Sequence, residues 1–308
     1  LNVKLIDISL ENGGMNPVLL DDINYSDVLC IVPIHLLGVP MDISRINEWA
    51  KPKGIFVVED AAQSFGARID GKMVGGFADV GLLSFQRGKN LSTFTGGAIA
   101  TNRDDIAELI LKITPELMPV NNSLRSKFMA VLKLFAVSKI VNPYIYRIID
   151  PFISGSKSRE IHYEFDMGYY SDVQAAVGLG ILSYADYICA RRHFYGEIYR
   201  SELSGIEGVV VPKPLKNSLP VYCQFPLIIK DKNKIDELEK KIGVIGVETT
   251  RRYLNPLHKI PDMDIQWIGR DPYPIASYYA ERLLCLPTHP LMNENMILKV
   301  VKVIKETV

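Results

Sequence analysis

The first hundred residues alternate short apolar runs with one helical stretch. The runs are VKLIDI, VLCIVPIHLLG, IFVVED, VGLLSF and GGAIATN, while DISRINEWAKPKG has the spacing of a helix. Continuous apolar runs broken by Gly, Pro and Asp are typical of strands buried on both faces, and the intervening helix indicates a βαβ unit. The pattern predicts an α/β layer with a largely parallel sheet.

The remainder of the chain is mostly helical in pattern and closes in a smaller α/β unit. A long helical pattern begins at Asp172 and is expected to run to about Gly205, linking two lobes. QFPLIIK then predicts a strand, NKIDELEKKIG a charged helix, and residues 293–306 a closing amphipathic helix. We therefore expect a large domain over residues 1–190 and a small C-terminal domain over residues 191–308.

Composition excludes several classes of protein. The 308 residues carry 35 Lys+Arg and 35 Asp+Glu, so no net charge attracts nucleic acid. The four cysteines form no C-x-x-C pair, which removes the usual zinc and dithiol spacings and favours a reducing, cytoplasmic setting. No apolar run reaches the roughly 18–20 residues of a membrane span, and the first residues lack the layout of a signal peptide.

Polar side chains follow consecutive predicted strands. Asp60 ends IFVVED, Ser84 ends VGLLS, and Lys89 follows in the next turn. Taken singly, a strand-end carboxylate is more often a cap and a lone lysine is more often solvated. Together they supply what pyridoxal phosphate (PLP) requires: an amine, a carboxylate for the pyridine nitrogen, and a hydroxyl for the phosphate. The three residues therefore predict a PLP site at the edge of the sheet.

Two nucleotide-binding motifs are excluded. GLLSFQRGKN places six residues between Gly81 and Gly88, where a P-loop has four, and Asn90 stands where that loop has Ser or Thr. The chain also contains no G-x-G-x-x-G. We therefore exclude both kinase-like and NAD-dependent chemistry.

A longer segment carries a family resemblance. VVEDAAQSFGARIDGKMVGGFADVGLLSFQRGKNLSTFTGGAIATN resembles the signature of the DegT/StrS-type, PLP-dependent nucleotide-sugar aminotransferases: E-D-A-A-[QH], G-x-x-G, S-F-x-x-x-K-N and G-G-A. The similarity continues in PIHLLGVPMDI, YLNPLH and CLPTHP. It implies the type I, aspartate aminotransferase-like fold of PLP-dependent transferases, with a mostly parallel sheet in the large domain and a small C-terminal α/β domain.

The resemblance also assigns roles to residues. It implies that Lys89 bonds covalently to the cofactor, that Asp60 pairs with the pyridine nitrogen, that Gln63 lies near the phenolic oxygen, and that Ser84 binds the phosphate. His35 and Arg87 are candidate substrate-binding residues. His258 and His289 match family positions at the domain boundary, where we expect them to pack.

The implied activity is transfer of an amino group from an amino acid, with glutamate the expected donor, to a nucleotide-linked keto-sugar in polysaccharide or antigen biosynthesis. The family's sites form between two subunits, so a homodimer is expected. One alternative is a catalytically silent homologue that acts as a binding or scaffold protein in the same pathway. A further possibility is a PLP-dependent dehydratase. The presence of Lys89 argues against it, because known dehydratases of this fold replace that lysine.

The sequence departs from the family pattern in three places. No residues correspond to the family's first helix and Ser-Gly-Thr phosphate turn, so either this sequence omits this part of the large domain or the protein lacks it. The G-Y-N-Y-R-M element falls on FDMGYYSDVQAA, which puts Met167 at the Asn position and Tyr169 at the Arg position. A helical insertion is expected at about residues 122–158.

The insertion contains an apolar segment with interspersed positive charges, residues 124–153. Such a segment suits either a helical hairpin docked near the dimer partner or an element that lies on an anionic membrane surface. We expect the docked hairpin, because the net charge of the chain is zero and amphipathic helices usually face a core.

Overall fold

The computed structural model describes residues 2–118, 125, 127–132, 135, 168, 170–260 and 271–308. Met167, Tyr169 and most of residues 122–158 therefore lie outside the described residues. In chain order, the elements are β1 (Cys30–Ile31), α1 (Ile43–Ala50), β2 (Phe56–Asp60), β3 (Arg68–Ile69), β4 (Lys72–Met73), β5 (Val80–Ser84), β6 (Gly97–Ala100), α2 (Asp104–Leu117), α3 (Asp172–Leu182), α4 (Ala185–Leu203), β7 (Val209–Val210), β8 (Ser218–Leu219), β9 (Phe225–Ile229), α5 (Ile235–Val244), α6 (Pro274–Arg282), β10 (Leu283–Leu286) and α7 (Glu294–Thr307).

The main sheet has the strand order β1-β2-β5-β6. β1 pairs parallel with β2 and β2 pairs parallel with β5, while β6 runs antiparallel to β5. Helix α1 covers this sheet through Ile43, Ile46 and Ala50, all fully buried, and Asp42 caps its first turn by accepting from the Arg45 N–H. The predicted, largely parallel sheet is confirmed, with one antiparallel strand at an edge.

The predicted strand VKLIDI is wrong. Residues 2–7 form no strand, and Ile8 makes only an isolated bridge with Met15. The Asp7 carboxylate instead accepts from the backbone N–H groups of Ile275 and Ala276, in the first turn of α6. A strand needs a paired neighbour, and this segment serves as a helix cap instead.

The single long helix expected from Asp172 to Gly205 is two helices. α3 and α4 are bent by 60° at Ser183 and Tyr184, and α4 ends at Leu203. The Ser183 hydroxyl donates to the Gly180 carbonyl, 2.8 Å away, an interaction that competes with helix continuation. Among the described residues no one helix has the length and apolar character of a membrane span; only α3 and α4 taken together, across their bend, meet those two criteria.

Two apolar cores lie along α4. Cys189, near its start, packs with the core of the main sheet and α1. Tyr195 and Tyr199 pack instead with the second core, which β9, β10, α5 and α7 build around the antiparallel sheet β10-β9-β7. The proposed division near residue 190 falls on the stretch of α4 where its partners change.

Candidate active site

Asp60 and Ser84 lie at the carboxyl ends of neighbouring parallel strands. Asp60 of β2 is in register with Leu82 of β5, so Ser84 lies two residues further along the same edge. The half-buried Asp60 accepts the Ala62 N–H at Oδ1, 2.8 Å away, and no described residue bonds to Oδ2. Ligands bind at this edge of open α/β sheets, and here it presents a carboxylate oxygen that is free to accept a further hydrogen bond.

Lys89 lies in the turn after β5 and is half-buried. The turn bends at Gly88, whose φ of 80° a side chain would strain, and Asn90 ties it down by donating to the Phe65 carbonyl at 2.9 Å. Nζ has no hydrogen-bond partner among the described residues. The amine is therefore held near the sheet edge and left available.

The electrostatic surroundings of Lys89 lower its pKa below the usual value. Burial is the main cause, and the positive charge of Arg252 acts in the same direction, while Cys223 and Asp60 oppose them. A lowered pKa raises the fraction of neutral, nucleophilic amine at neutral pH. Asp60 ends β2 and Lys89 lies in the turn after β5, and these two strands pair in parallel, so both residues follow the same edge of the sheet.

Gln63 is fixed by contacts from two sides. Its Oε1 accepts the Leu37 N–H at 3.1 Å, and its Nε2 donates to the Tyr253 hydroxyl at 2.8 Å. Burial raises the pKa of Tyr253, so the phenol stays neutral at physiological pH. Gln63 thereby joins the end of β2 to a segment that lies 190 residues later in the chain.

His35 has no ring nitrogen left for a substrate. Its side chain is fully buried, Nδ1 accepts the Met41 N–H at 3.0 Å, and Nε2 therefore carries the proton and donates to Glu59 Oε1 at 2.9 Å. Glu59 in turn accepts the backbone N–H groups of Gly75, Phe77 and Ala78. In place of the substrate contact predicted from the sequence, His35 supports the loop ahead of the site.

Ser84 is half-buried and Arg87 is exposed. The Ser84 hydroxyl accepts a long hydrogen bond from the Gln86 N–H at 3.4 Å and keeps its proton for another acceptor. The Arg87 guanidinium lies 5.1 Å from the centre of the Phe94 ring. Both belong to the turn that carries Lys89.

The loop that follows Lys89 is held by contacts with Gln174 of α3 and with Tyr170, two residues before that helix. The Tyr170 hydroxyl donates to Thr93 Oγ1 at 2.6 Å, and Gln174 Nε2 donates to Thr95 Oγ1 at 2.7 Å. A Cβ at Gly96 would lie 2.4 Å from the Tyr170 ring, so only glycine fits there. The Tyr170 ring thus explains the glycine at position 96, and the Leu83 carbonyl, 2.5 Å from a Cβ placed at Gly97, explains the second glycine of the pair.

Residues 2–305 match the family model described as the DegT/DnrJ/EryC1/StrS aminotransferase family. The chain belongs to this family. The dTDP-3-amino-3,4,6-trideoxy-alpha-D-glucose transaminase of Streptomyces venezuelae is 27% identical over 96% of this chain and 68% of its own length. The GDP-perosamine synthase of Escherichia coli O157:H7 is 25% identical, covering 90% of this chain and 65% of its own.

Solved structures of the same family share the fold. The S. venezuelae protein DesV, solved in complex with a ketimine intermediate, superposes with a TM-score of 0.75 at 25% identity, covering 98% of this chain and 71% of its own. A DegT/DnrJ/EryC1/StrS aminotransferase from Brucella abortus gives a TM-score of 0.74 at 22% identity, covering 98% and 72%. The predicted type I aminotransferase fold is thereby confirmed.

Within this family member, the two boundary histidines have packing contacts. His258 is buried, with Nε2 3.0 Å from Asp271 Oδ1 and its ring against Tyr273. His289 Nδ1 accepts the Leu291 N–H at 3.2 Å, and burial lowers its pKa. Neither contact involves the turn that carries Lys89.

The small lobe contributes residues near the site that the local sequence pattern does not reveal. Tyr253 contacts Gln63, and Arg252 and Cys223 act on the charge of Lys89. YLNPLH marked this segment as similar to the family, but nothing in the sequence connected it to Lys89. Among the described residues, no group of His, Cys, Asp and Glu is arranged to hold a metal ion.

Proposed function

We propose that this chain is a PLP-dependent aminotransferase that moves an amino group from an amino acid, glutamate being the expected donor, to a nucleotide-linked keto-sugar. The observation that carries the proposal is the half-buried Lys89 amine, which has a lowered pKa and lies close enough to Asp60 for their charges to interact. Supporting it, the curated relatives of the chain include dTDP-sugar and GDP-sugar enzymes.

The residues present fit PLP by their chemistry. Lys89 offers an amine with no described hydrogen-bond partner, Asp60 offers a free carboxylate oxygen, and Ser84 offers a hydroxyl proton. These are the groups needed for the aldehyde, the pyridine nitrogen and the phosphate. When bound, PLP supplies an electron sink for the carbon that carries the substrate's amino group.

Each residue then has a distinct task. Asp60 keeps a proton on the pyridine nitrogen, because a carboxylate beside it favours the charged form. As a free amine, Lys89 would accept the proton from the donor's α-carbon, acting as a base whose pKa is already lowered by burial. Gln63, held by Leu37 and Tyr253, would keep one amide N–H available for the cofactor.

We further propose that the protein acts as a homodimer. Helix α3 is rich in apolar residues but buries none of them: Leu179 is 70% exposed and Leu182 is 48% exposed. A helix that is apolar all round is usually covered by protein. Because α3 locks the loop that follows Lys89, a partner on this helix would lie near the site.

The proposal is tested by loading the protein with PLP and measuring absorbance before and after borohydride. We expect a yellow protein in which borohydride fixes the cofactor to the peptide that contains Lys89, as identified by mass spectrometry. Glutamate added before reduction should yield 2-oxoglutarate and bleach the yellow colour, and a panel of dTDP- and GDP-linked keto-sugars should restore it.

A matched control is available in Lys112, an exposed lysine of α2. Lys112→Ala should retain the yellow absorbance, and Lys89→Ala should lose it. A protein that binds no PLP, or binds it without reacting with any amino acid, would instead support the silent homologue.

A further inference from the structure

An arginine of the small lobe is anchored beside the site. Arg252 Nε donates to Gln224 Oε1 at 2.9 Å, and Gln224 Nε2 donates to Thr250 Oγ1 at 3.4 Å. Gln224 directly follows Cys223, which interacts electrostatically with Lys89. One nitrogen of the guanidinium is thus fixed, and the remaining N–H groups have no hydrogen-bond partner among the described residues.

The positive charge of this arginine acts on Lys89 and on three groups of the small lobe, Cys223, Tyr253 and Cys285. It lowers the pKa of Lys89 in addition to burial, and it opposes the effect of burial at Cys223, Tyr253 and Cys285. Its chain neighbour Tyr253 contacts Gln63 directly. The chain segment that carries the guanidinium is thus in contact with the loop that follows Asp60 at the end of β2.

The adjacent arginine has a different environment. Arg251 is paired with Asp236 and Glu239, two carboxylates of α5. Arg252 makes no ion pair with any described carboxylate, although its side chain is tied at Nε. A guanidinium that is fixed at one nitrogen and keeps its other donors free is suited to bidentate recognition of a planar anion.

We propose that Arg252 binds the carboxylate of the amino-group donor, an inference that rests on the proposed function. The carboxylate of an amino acid is attached to the same carbon as the amine that replaces Lys89, so it must lie close to that lysine. A nucleotide diphosphate is separated from a keto carbon by the width of a sugar ring. Arg252 is anchored through Gln224 and adjoins Tyr253, which contacts Gln63 in the loop after Asp60, so its free donors are placed for the carboxylate.

The assignment also gives Gln224 a role as a positioning residue. An arginine side chain loses considerable conformational freedom when it is ordered, and the hydrogen bond from Nε supplies part of that order before the substrate arrives. The keto acid product carries the same carboxylate as the amino acid donor. The affinities of the donor and of the product should therefore depend on Arg252 equally.

The test compares Arg252→Gln and Arg252→Lys with Arg251→Gln as a control of identical charge change. Binding of 2-oxoglutarate and, separately, of UDP and GDP to the borohydride-reduced holoenzyme is measured by calorimetry, which reports affinity without turnover. The KM and kcat for glutamate are measured on the unreduced enzyme.

We expect Arg252→Gln to weaken 2-oxoglutarate binding and raise the KM for glutamate by about 10- to 100-fold, the range for losing a hydrogen-bonded charge. Arg252→Lys should recover only part of this loss, because an ammonium cannot bind bidentately. The affinity of either Arg252 variant for UDP and GDP should change by less than about threefold. In Arg251→Gln, 2-oxoglutarate affinity and the KM for glutamate should also change by less than about threefold.

Two results would overturn the assignment while leaving the proposed function intact. One is an Arg252→Gln enzyme with unchanged affinity for 2-oxoglutarate, and the other is a loss confined to UDP and GDP, which would assign the arginine to a phosphate. Failure of the wild-type protein to form a borohydride-fixed bond to PLP would overturn the proposed function, and this inference with it.

Discussion

Glu59 and Asp60 are adjacent carboxylates on one strand with opposite environments. Their side chains lie on opposite faces of β2; Glu59 is fully buried and Asp60 is half-buried. Glu59 accepts hydrogen bonds from His35 and from three backbone N–H groups, whereas Asp60 accepts one, from Ala62. The protein supplies hydrogen-bond donors to both oxygens of Glu59, whereas one oxygen of Asp60 can still accept a hydrogen bond from a ligand.

The different environments assign Glu59 a structural role and Asp60 a catalytic one, a distinction that residue type alone cannot make. A carboxylate saturated with donors stabilises the loops that it joins, and its burial is tolerable only because of those donors. A carboxylate with a free oxygen at a sheet edge is costly for the fold unless a ligand uses it. The predictions below therefore separate stability from activity.

The largest effect is expected at Lys89. Lys89→Ala should lower amino transfer by about 10³-fold or more, because it removes both the nucleophile and the proton carrier. The urea midpoint should stay within experimental error, since burying this amine already disfavours its charged form. Transfer at the wild-type rate in this variant would remove Lys89 from the mechanism.

Glu59→Gln should destabilise the protein by about 3–5 kcal/mol. Each Glu59 oxygen accepts two hydrogen bonds, so an amide nitrogen in either place would face N–H donors. Urea unfolding measures the change, with the exposed Glu48→Gln of α1 as the control. A loss below about 1 kcal/mol would show that this network does not support the loop.

Asp60→Asn should have the opposite effect to Glu59→Gln: a small loss of stability and a large loss of activity. An amide oxygen can still accept the Ala62 N–H, so the stability loss should stay below about 1 kcal/mol. Amino transfer in single turnovers should slow by about 10²-fold, because an amide cannot hold the pyridine nitrogen protonated. Unchanged single-turnover rates would exclude Asp60 from the proton chemistry.

Lowering the pH should remove the contribution of Glu59 to the free energy of unfolding. Its donors lower the pKa of Glu59 below the ordinary value of 4.5 despite burial, which acts in the opposite direction. The stabilisation is therefore fully present above that value and disappears as the pH falls through the lowered, folded-state pKa. The stability difference between wild type and Glu59→Gln should shrink between neutral pH and about pH 3; a constant difference would contradict this assignment.

Tyr253→Phe should have the smallest effect. It removes one hydrogen-bond acceptor from Gln63, worth about 1 kcal/mol, and should lower kcat/KM by about three- to tenfold with little change in cofactor absorbance. The exposed Tyr187→Phe serves as the control. Equal activities in the two variants would show that Gln63 does not need this anchor.

The site itself was only partly predictable. Asp60, Ser84 and Lys89 end or follow strands whose apolar pattern is unambiguous, and the carboxyl ends of parallel strands meet at one edge. His35 was expected at a substrate but has both ring nitrogens occupied, because Met41 and Glu59 approach it from other parts of the fold. Hydrogen-bond partners from distant segments leave no trace in a local pattern.

The sequence by itself determined the βαβ pattern, the turn that carries Lys89 and the family to which the chain belongs. The tertiary structure alone decided that the Asp172 helix breaks at Ser183, that VKLIDI caps a helix instead of pairing, and that Gln224 holds Arg252 next to the tyrosine that contacts Gln63. Strand and turn preferences depend on residues that are close together in the chain, so they can be predicted from the sequence. The choice between pairing and capping, and the approach of one lobe to another, depend on which surfaces meet after folding.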